Sequence, residues 1–199
     1  MTTYEFVRAA LPGPPARVLE IGCGPTGELA SALAADGFDV LAIDPVAPEG
    51  ELFRRVRLEE LDVEEGPFDS AVAVRSLHHV HDLGPVMEHV ASLLRPGGVF
   101  VVEEFAWDLA DEPTLAWFDA QLGREAGGDL LAAWVDEHRG LHGDEALRGA
   151  LGSRFESRSF ERGPDLYHRL GAAARAAEAA AIEAGEIRAI GFRWTGVAR

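Results

Sequence analysis

Three glycines and two carboxylates carry the chemistry that is plainest in this chain. Gly22, Gly24 and Gly27 stand at G-x-G-x-x-G spacing directly after the apolar run Val18, Leu19, Ile21, and Leu29 and Leu33 follow at helical spacing. Ala16 to Ser31 thus reads as a strand, a glycine turn and a helix start, with the free amides of the helix end facing whatever lies across the turn. Glycine at positions 22 and 24 removes the Cβ atoms that would hold a ligand off the backbone. Glu20 lies two residues before Gly22 at the end of that strand, where its charge repels a pyrophosphate and attracts a cation. Asp44-Pro45 ends a second apolar run, Phe38 to Ile43, at the separation from Gly24 expected of an acid that accepts hydrogen bonds from ribose hydroxyls. The glycines alone fit a nicotinamide dinucleotide as well, and it is Glu20 that favours a cationic nucleoside ligand. Cys23, between two glycines, reads as a small residue suited to a tight turn rather than as a nucleophile, since no histidine stands near it in sequence.

The elements that must position these groups alternate strand and helix. Tyr4 to Leu11 is an amphipathic helix, Arg17 to Ile21 the first strand, and a helix then runs to about Ala35, stopped by Asp36-Gly37. A short helix near Pro48 to Phe53 is expected to lead into a third strand, Arg54 to Leu58. Ser70 to Val74 is a fourth strand, whose continuous small apolar residues suit cover on both faces. After it comes the loop RSLHHVHDL, Arg75 to Leu83, then an amphipathic helix from Pro85 to Leu94, the turn Arg95-Pro96-Gly97-Gly98 and a fifth strand, Val99 to Val102. Phe105 to Leu151 holds more helix than a plain strand connection needs and carries Trp107, Trp117 and Trp134. Phe155 to Phe160 and Ile187 to Val197 complete the strands, separated by an alanine-rich helix, Gly171 to Ala184, that stops at Gly185.

Together VLEIGCGPTG (Val18 to Gly27), the acidic tip of the second strand and LLRPGG before VFVVEE resemble the class I S-adenosylmethionine-dependent methyltransferases of the small-molecule type. The resemblance covers about Val18 to Glu104. It implies an α/β, Rossmann-like doubly wound sheet of seven strands, ordered 3-2-1-4-5-7-6, mostly parallel with an antiparallel last strand and helices on both faces. It implies S-adenosyl-L-methionine as cofactor and S-adenosyl-L-homocysteine as product. The cofactor contacts it implies are Glu20, Gly22, Cys23, Gly24, Asp44, Pro45, Arg75 and, at the adenine, Glu59 with Glu60; Asp62 with Val63 is the competing register. In a run that also holds Glu64 and Glu65, most of these acids are expected to form a solvated face.

For the acceptor, His79 is the chosen contact. His78, His79 and His81 have no carboxylate or thiol at ligand spacing, so no metal is expected. A hydroxyl acceptor would profit from His79, Glu103 or His138 as base, whereas an amine, thiolate or enolate needs none. The tryptophans of segment 105–151 read either as an aromatic lid over an apolar acceptor or as a helical pair covering the core.

Length and charge bound these readings. With 199 residues and 47% hydrophobic content, one domain over 1–199 is expected. A net charge of -16 argues against nucleic acid and anionic membrane surfaces as partners, though a weakly acidic small molecule can still enter a local pocket. All 18 basic residues are arginine, which removes lysine bases and Schiff-base chemistry. The lone Cys23 permits no intramolecular disulfide, and no signal peptide or membrane span is evident, so a cytoplasmic monomer or homodimer is expected. Two alternatives stand beside the methyltransferase: a catalytically silent S-adenosylmethionine-binding or interaction protein, and an oxidoreductase of the NAD type, which leaves Glu20 without a purpose.

Overall fold

The computed structural model describes residues 1–124 and 128–199. Its centre is a seven-stranded sheet in the order β3-β2-β1-β4-β5-β7-β6, the order expected above. β1 (Arg17–Ile21) pairs in parallel with β2 (Asp39–Ile43) on one side and β4 (Phe68–Val74) on the other. β5 (Leu94–Phe105) continues the parallel set beside β4, and β7 (Gly191–Ala198) runs antiparallel to both β5 and β6 (Phe155–Gly163).

The two-residue alternation of strand side chains divides the core in two. Val18, Val40, Ala42, Val72 and Val101 face α1 (Thr3–Ala10) and α2 (Glu28–Ala35), where Phe6, Val7, Ala30 and Leu33 meet them. Leu19, Ile21, Leu41, Ile43, Phe100 and Val102 face α3 (Leu83–Leu93) and α6 (Asp144–Arg154), through Met87, Val90, Leu147 and Leu151. α1 starts where its sequence demands, in a capping box between Thr2 and Glu5. α3 is capped by Asp82, which accepts the Gly84 amide.

Two local expectations are corrected. No helix forms at 48–53: the chain bends through Gly50 and enters a two-residue β3 (Phe53–Arg54), followed by 3-10 turns at Leu58–Glu60 and Val63–Glu65. Six residues that include proline and glycine cannot repay helix nucleation, and the Leu52 carbonyl instead accepts the Ala42 amide of β2. The alanine-rich stretch is broken at its start, where Gly171 has φ 99°, so α7 (Tyr167–Leu170) and α8 (Arg175–Glu183) are separated by a 3-10 turn. Segment 105–151 supplies α4 (Glu112–Gln121), α5 (Leu130–Glu137) and most of α6. Phe105, Leu115, Phe118 and Trp134 there close a third apolar cluster with Leu166 and Ile190.

Candidate functional site

The carboxyl ends of β1, β2 and β4 open into a cavity of about 430 Å³, within the size range of small-molecule sites and at the position where open α/β sheets bind ligands. Its wall includes Gly22, Gly24, Asp44, Pro45, Glu59, Arg75 and His79 among the residues anticipated from sequence, with Ser76 and His81 beside them.

The glycine turn is shaped by backbone demands. Gly22 has φ 80°, and its amide donates to the Ile43 carbonyl at 2.8 Å. A side chain there would overlap Ser76, whose hydroxyl donates to the Ile21 carbonyl at 2.7 Å and so ties the loop after β4 to the end of β1. Gly24 has φ 64° with open space where a Cβ would be, so its surface is free for a ligand. Its amide donates to Asp44 Oδ2 at 3.0 Å while the Val46 amide donates to Oδ1 at 2.9 Å. Asp44 is thereby fixed on the cavity wall with acceptor capacity left over.

Glu20 lies beneath this turn, only 3% exposed, and its Oε2 has no hydrogen-bond partner among the described residues. Burial pushes its carboxyl up to about 7 against the pull of the Ala30 amide, and nearby Asp44 pushes the same way. Neither Glu20 nor Asp44 is paired with a cationic side chain among the described residues. Two close carboxylates without a counter-charge, below a bare glycine turn, fit a cofactor that is a nucleoside at one end and cationic at the other. Cys23 is buried beside them, and burial first, then Glu20 and Asp44, push its thiol up to about 12, so it is not a nucleophile.

The remaining anticipated residues divide. Glu59 lines the cavity at its exposed rim. Glu60 does not, and its carboxylate accepts the Arg57 amide at 3.0 Å; Asp62 likewise caps its own turn through the Glu64 amide. His79 lies on the cavity wall, where partial desolvation, then His78 and Arg75, lower its pKa from the usual 6.5. His78 beside it is buried, with Nδ1 2.7 Å from Glu104 Oε2. Among the described residues no three His, Cys, Asp or Glu side chains gather as a metal site.

Glu103 and Glu104 alternate across β5 and meet different neighbours. Glu103 faces α1 in an ion cluster: Arg193 Nε donates at 2.6 Å, Thr3 Oγ1 at 2.6 Å, and His168 Nε2 lies 3.4 Å away. Burial alone would raise its carboxyl, but hydrogen bonds from His168 and Thr3 and the Arg193 charge bring it down to about 2. Glu104 accepts the Leu77 and Phe105 amides as well as facing His78. His138 is buried against Trp134, its Nδ1 2.8 Å from the Trp134 carbonyl and its ring stacked on Trp107. Glu20, Cys23, Glu60, Glu103 and His138 are therefore not brought to the cavity wall. Trp134 is 5% exposed and its indole donates to the Trp107 carbonyl, so it belongs to the third apolar cluster. Sequence reading passed over Ser76, Asp165 and Glu178, although a lone glutamate inside an alanine run is a visible signal for the last.

A family model described as a methyltransferase domain matches residues 4–162. The chain belongs to this methyltransferase family. It is 32% identical to a ubiquinone biosynthesis O-methyltransferase of Xylella fastidiosa, in a match covering 76% of this chain and 70% of that one. Among solved structures it is similar to an S-adenosylmethionine-dependent methyltransferase of Mesorhizobium loti, with a TM-score of 0.63 and 21% identity over 96% of this chain and 95% of the other. It is similar also to a 1,6-didemethyltoxoflavin-N1-methyltransferase of Burkholderia thailandensis, solved with S-adenosylhomocysteine, at a TM-score of 0.59 and 22% identity over 96% and 73%. The enzyme is an S-adenosylmethionine-dependent methyltransferase, and the nicotinamide and silent-binding readings are set aside. No helix of the described residues is long and apolar enough to cross a membrane.

Proposed function

We propose that the methyltransferase binds its adenosyl cofactor in the 430 Å³ cavity and transfers methyl to an oxygen of a small acceptor that enters beside Arg75, His79 and His81. The observation that carries this reading is the pair of carboxylates at the glycine turn, Glu20 with its Oε2 unpartnered and Asp44 held by two backbone amides, neither facing a cationic side chain among the described residues. Asp44 holds the ribose hydroxyls, Glu59 reaches the adenine amino group, and the bare backbone of Gly22 and Gly24 receives the amino-acid portion. When bound, the cofactor supplies an already activated methyl group, so the chief task of the protein is to align the acceptor, an effect worth up to about 7–11 kcal/mol for well-oriented reactants.

His79 is the base that takes the acceptor proton. Its lowered pKa leaves the imidazole neutral at pH 7, with a nitrogen lone pair free to receive that proton. An oxygen acceptor accords with the name of the Xylella relative, an O-methyltransferase. The turn between α5 and α6 grips the loop that carries His79: the His142 amide donates to the His78 carbonyl at 3.1 Å, and His142 Nε2 lies 2.9 Å from the Val80 carbonyl. Segment 105–151 is thus the cover on the acceptor side within a single domain. The acidic surface charge and lone cysteine suit a cytoplasmic monomer or homodimer with no nucleic-acid partner.

The test combines binding with turnover. S-adenosylhomocysteine at about 100 times its dissociation constant should stabilise the protein by about 2.7 kcal/mol, read as a rise in Tm. Against a panel of phenols, with methylated product detected by mass, His79→Gln should lose about 10²–10⁴ in kcat. Turnover by the unaltered enzyme should fall as pH drops through the His79 pKa, below 6.5. Full activity of His79→Gln at pH 7 would remove it as the base.

A further inference from the structure

Arg75 is set unlike any other residue of the cavity wall. It is the one non-glycine residue with positive φ among the described residues, at φ 51°, a conformation that costs energy unless its surroundings hold it. They do. Its amide donates to the Glu103 carbonyl at 2.8 Å, its guanidinium lies 5.2 Å over the Phe105 ring, and its Nε is 3.3 Å from Asp165 Oδ1. Asp165 is itself buried and tied down: the amides of Asp165, Leu166 and Tyr167 donate to the fully buried Glu178 carboxylate at 2.7, 2.9 and 2.8 Å. Two buried acids near the end of the chain thus brace an arginine on the wall of the cavity.

The brace leaves that arginine underused. None of its side-chain N–H groups donates a hydrogen bond to a described residue, and Nε is buried without one. The side chain is 23% exposed, and Arg75 lines the cavity. A planar guanidinium with free donors matches one ligand chemistry above others, a carboxylate taken through parallel N–H bonds. Its charge is also of opposite sign to the Glu20 and Asp44 pair, so the cavity is polarised, with a place for a cation and a place for an anion.

We propose that Arg75 is a carboxylate receptor in this cavity and that Asp165, anchored by Glu178, is the residue that positions it. The inference rests on the cavity being the cofactor and acceptor site. The carboxylate has two available sources, the amino-acid end of the cofactor or an acid group on the acceptor.

Calorimetric titrations of the unaltered enzyme and of Arg75→Asn, asparagine being a residue that tolerates the left-handed backbone, separate these sources. The ligands are S-adenosylhomocysteine, 5′-methylthioadenosine, which keeps the nucleoside and thioether but lacks the carboxylate, and, with S-adenosylhomocysteine present, 4-hydroxybenzoate against 4-hydroxybenzamide. If the cofactor supplies the anion, Arg75→Asn loses about tenfold or more in S-adenosylhomocysteine affinity and keeps its affinity for methylthioadenosine. If the acceptor supplies it, both adenosyl affinities persist and the preference for benzoate over benzamide disappears. In either case Asp165→Asn should weaken the same discrimination without altering methylthioadenosine binding, and Asp165→Glu should restore part of it, which a merely structural role would not produce. Equal loss of both adenosyl ligands, or no change in any ratio, overturns the proposal. Failure of the unaltered enzyme to bind either adenosyl compound overturns instead the assignment of the cavity, and the receptor with it.

Discussion

The two ends of the sheet's carboxyl edge treat buried acids in opposite ways. At the glycine turn, neither the buried Glu20 nor the half-buried Asp44 has a cationic partner among the described residues; Asp44 holds two amides, whereas Glu20 Oε2 has no partner and its carboxyl is pushed up to about 7 chiefly by burial. Beyond β5, Glu103 is held by Arg193, Thr3 and His168 and lies at about 2, Glu104 meets His78 and two amides, and Glu178 takes three amides. A buried charge left without compensation costs stability, and one surrounded by donors holds neighbouring elements in register. The first pattern is that of the proposed cofactor site, the second that of scaffolding. Asp165 stands between them: it touches Arg75, yet burial still raises its carboxyl to about 7.

Glu103→Gln offers the largest effect with which to break this contrast. The change leaves Arg193, 13% exposed, without its counter-charge, and breaking a buried pair of this kind costs about 3–5 kcal/mol. Denaturant unfolding should show that loss, while turnover per folded molecule stays unchanged. Since Glu103 is lowered from 4.5 to about 2 in the folded state, its stabilisation is complete above pH 4.5 and fades as pH falls toward 2. Glu103→Gln should therefore flatten that acid limb. A variant that stays stable but loses turnover would move Glu103 from the scaffold into the chemistry.

Legibility in sequence followed the same divide. Gly22, Gly24 and Asp44 belong to one βαβ unit, and the hydrogen bond between Gly24 and Asp44 spans 20 residues, so spacing alone placed them together. The sheet order followed from resemblance and stands. Thr3 and Arg193 reach Glu103 across 100 and 90 residues, and no local pattern records which distant strand or helix will bring a counter-charge. For that reason Glu103 read as a free acid at a strand end and His138 as a free base, when one is tied into an ion cluster and the other stacked under Trp107. The two-residue β3 was hidden for a related cause: only pairing with Ala42 and Ile43 makes a strand of Phe53 and Arg54.

Asp44→Ala gives the next effect in size and sharpens the ligand side of the contrast. Losing a charged acceptor for the ribose hydroxyls should weaken S-adenosylhomocysteine binding by about 1.5–3 kcal/mol. The ligand-free protein should change little by comparison, because Asp44 makes no ion pair among the described residues and its backbone contacts there, to the Gly24 and Val46 amides, lie in turns at the cavity. Calorimetry beside ligand-free melting measures both, and an unchanged affinity with an intact fold would take Asp44 out of the site.

The effect that is smallest per pH unit is also the most particular to a buried acid without a counter-charge. Glu20 is raised from 4.5 to about 7 on folding, so between those values the folded protein binds more protons than the unfolded chain, and its stability falls as pH rises. The slope owed to Glu20 is on the order of 1 kcal/mol per pH unit within that window, and Glu20→Gln, which cannot ionise, should lose it. This limb runs opposite to that of Glu103, so urea unfolding of the two variants between pH 3 and 8 should flatten opposite ends of the curve. A sulfonium above the glycine turn favours ionised Glu20, so S-adenosylmethionine, which carries one positive charge more than the zwitterionic S-adenosylhomocysteine, should gain affinity relative to it as pH rises from 6 to 8. That gain should vanish in Glu20→Gln. If the ratio of the two affinities does not respond to pH in the unaltered enzyme, Glu20 is not sensing the ligand charge, and the acids at the turn are no different in kind from those beyond β5.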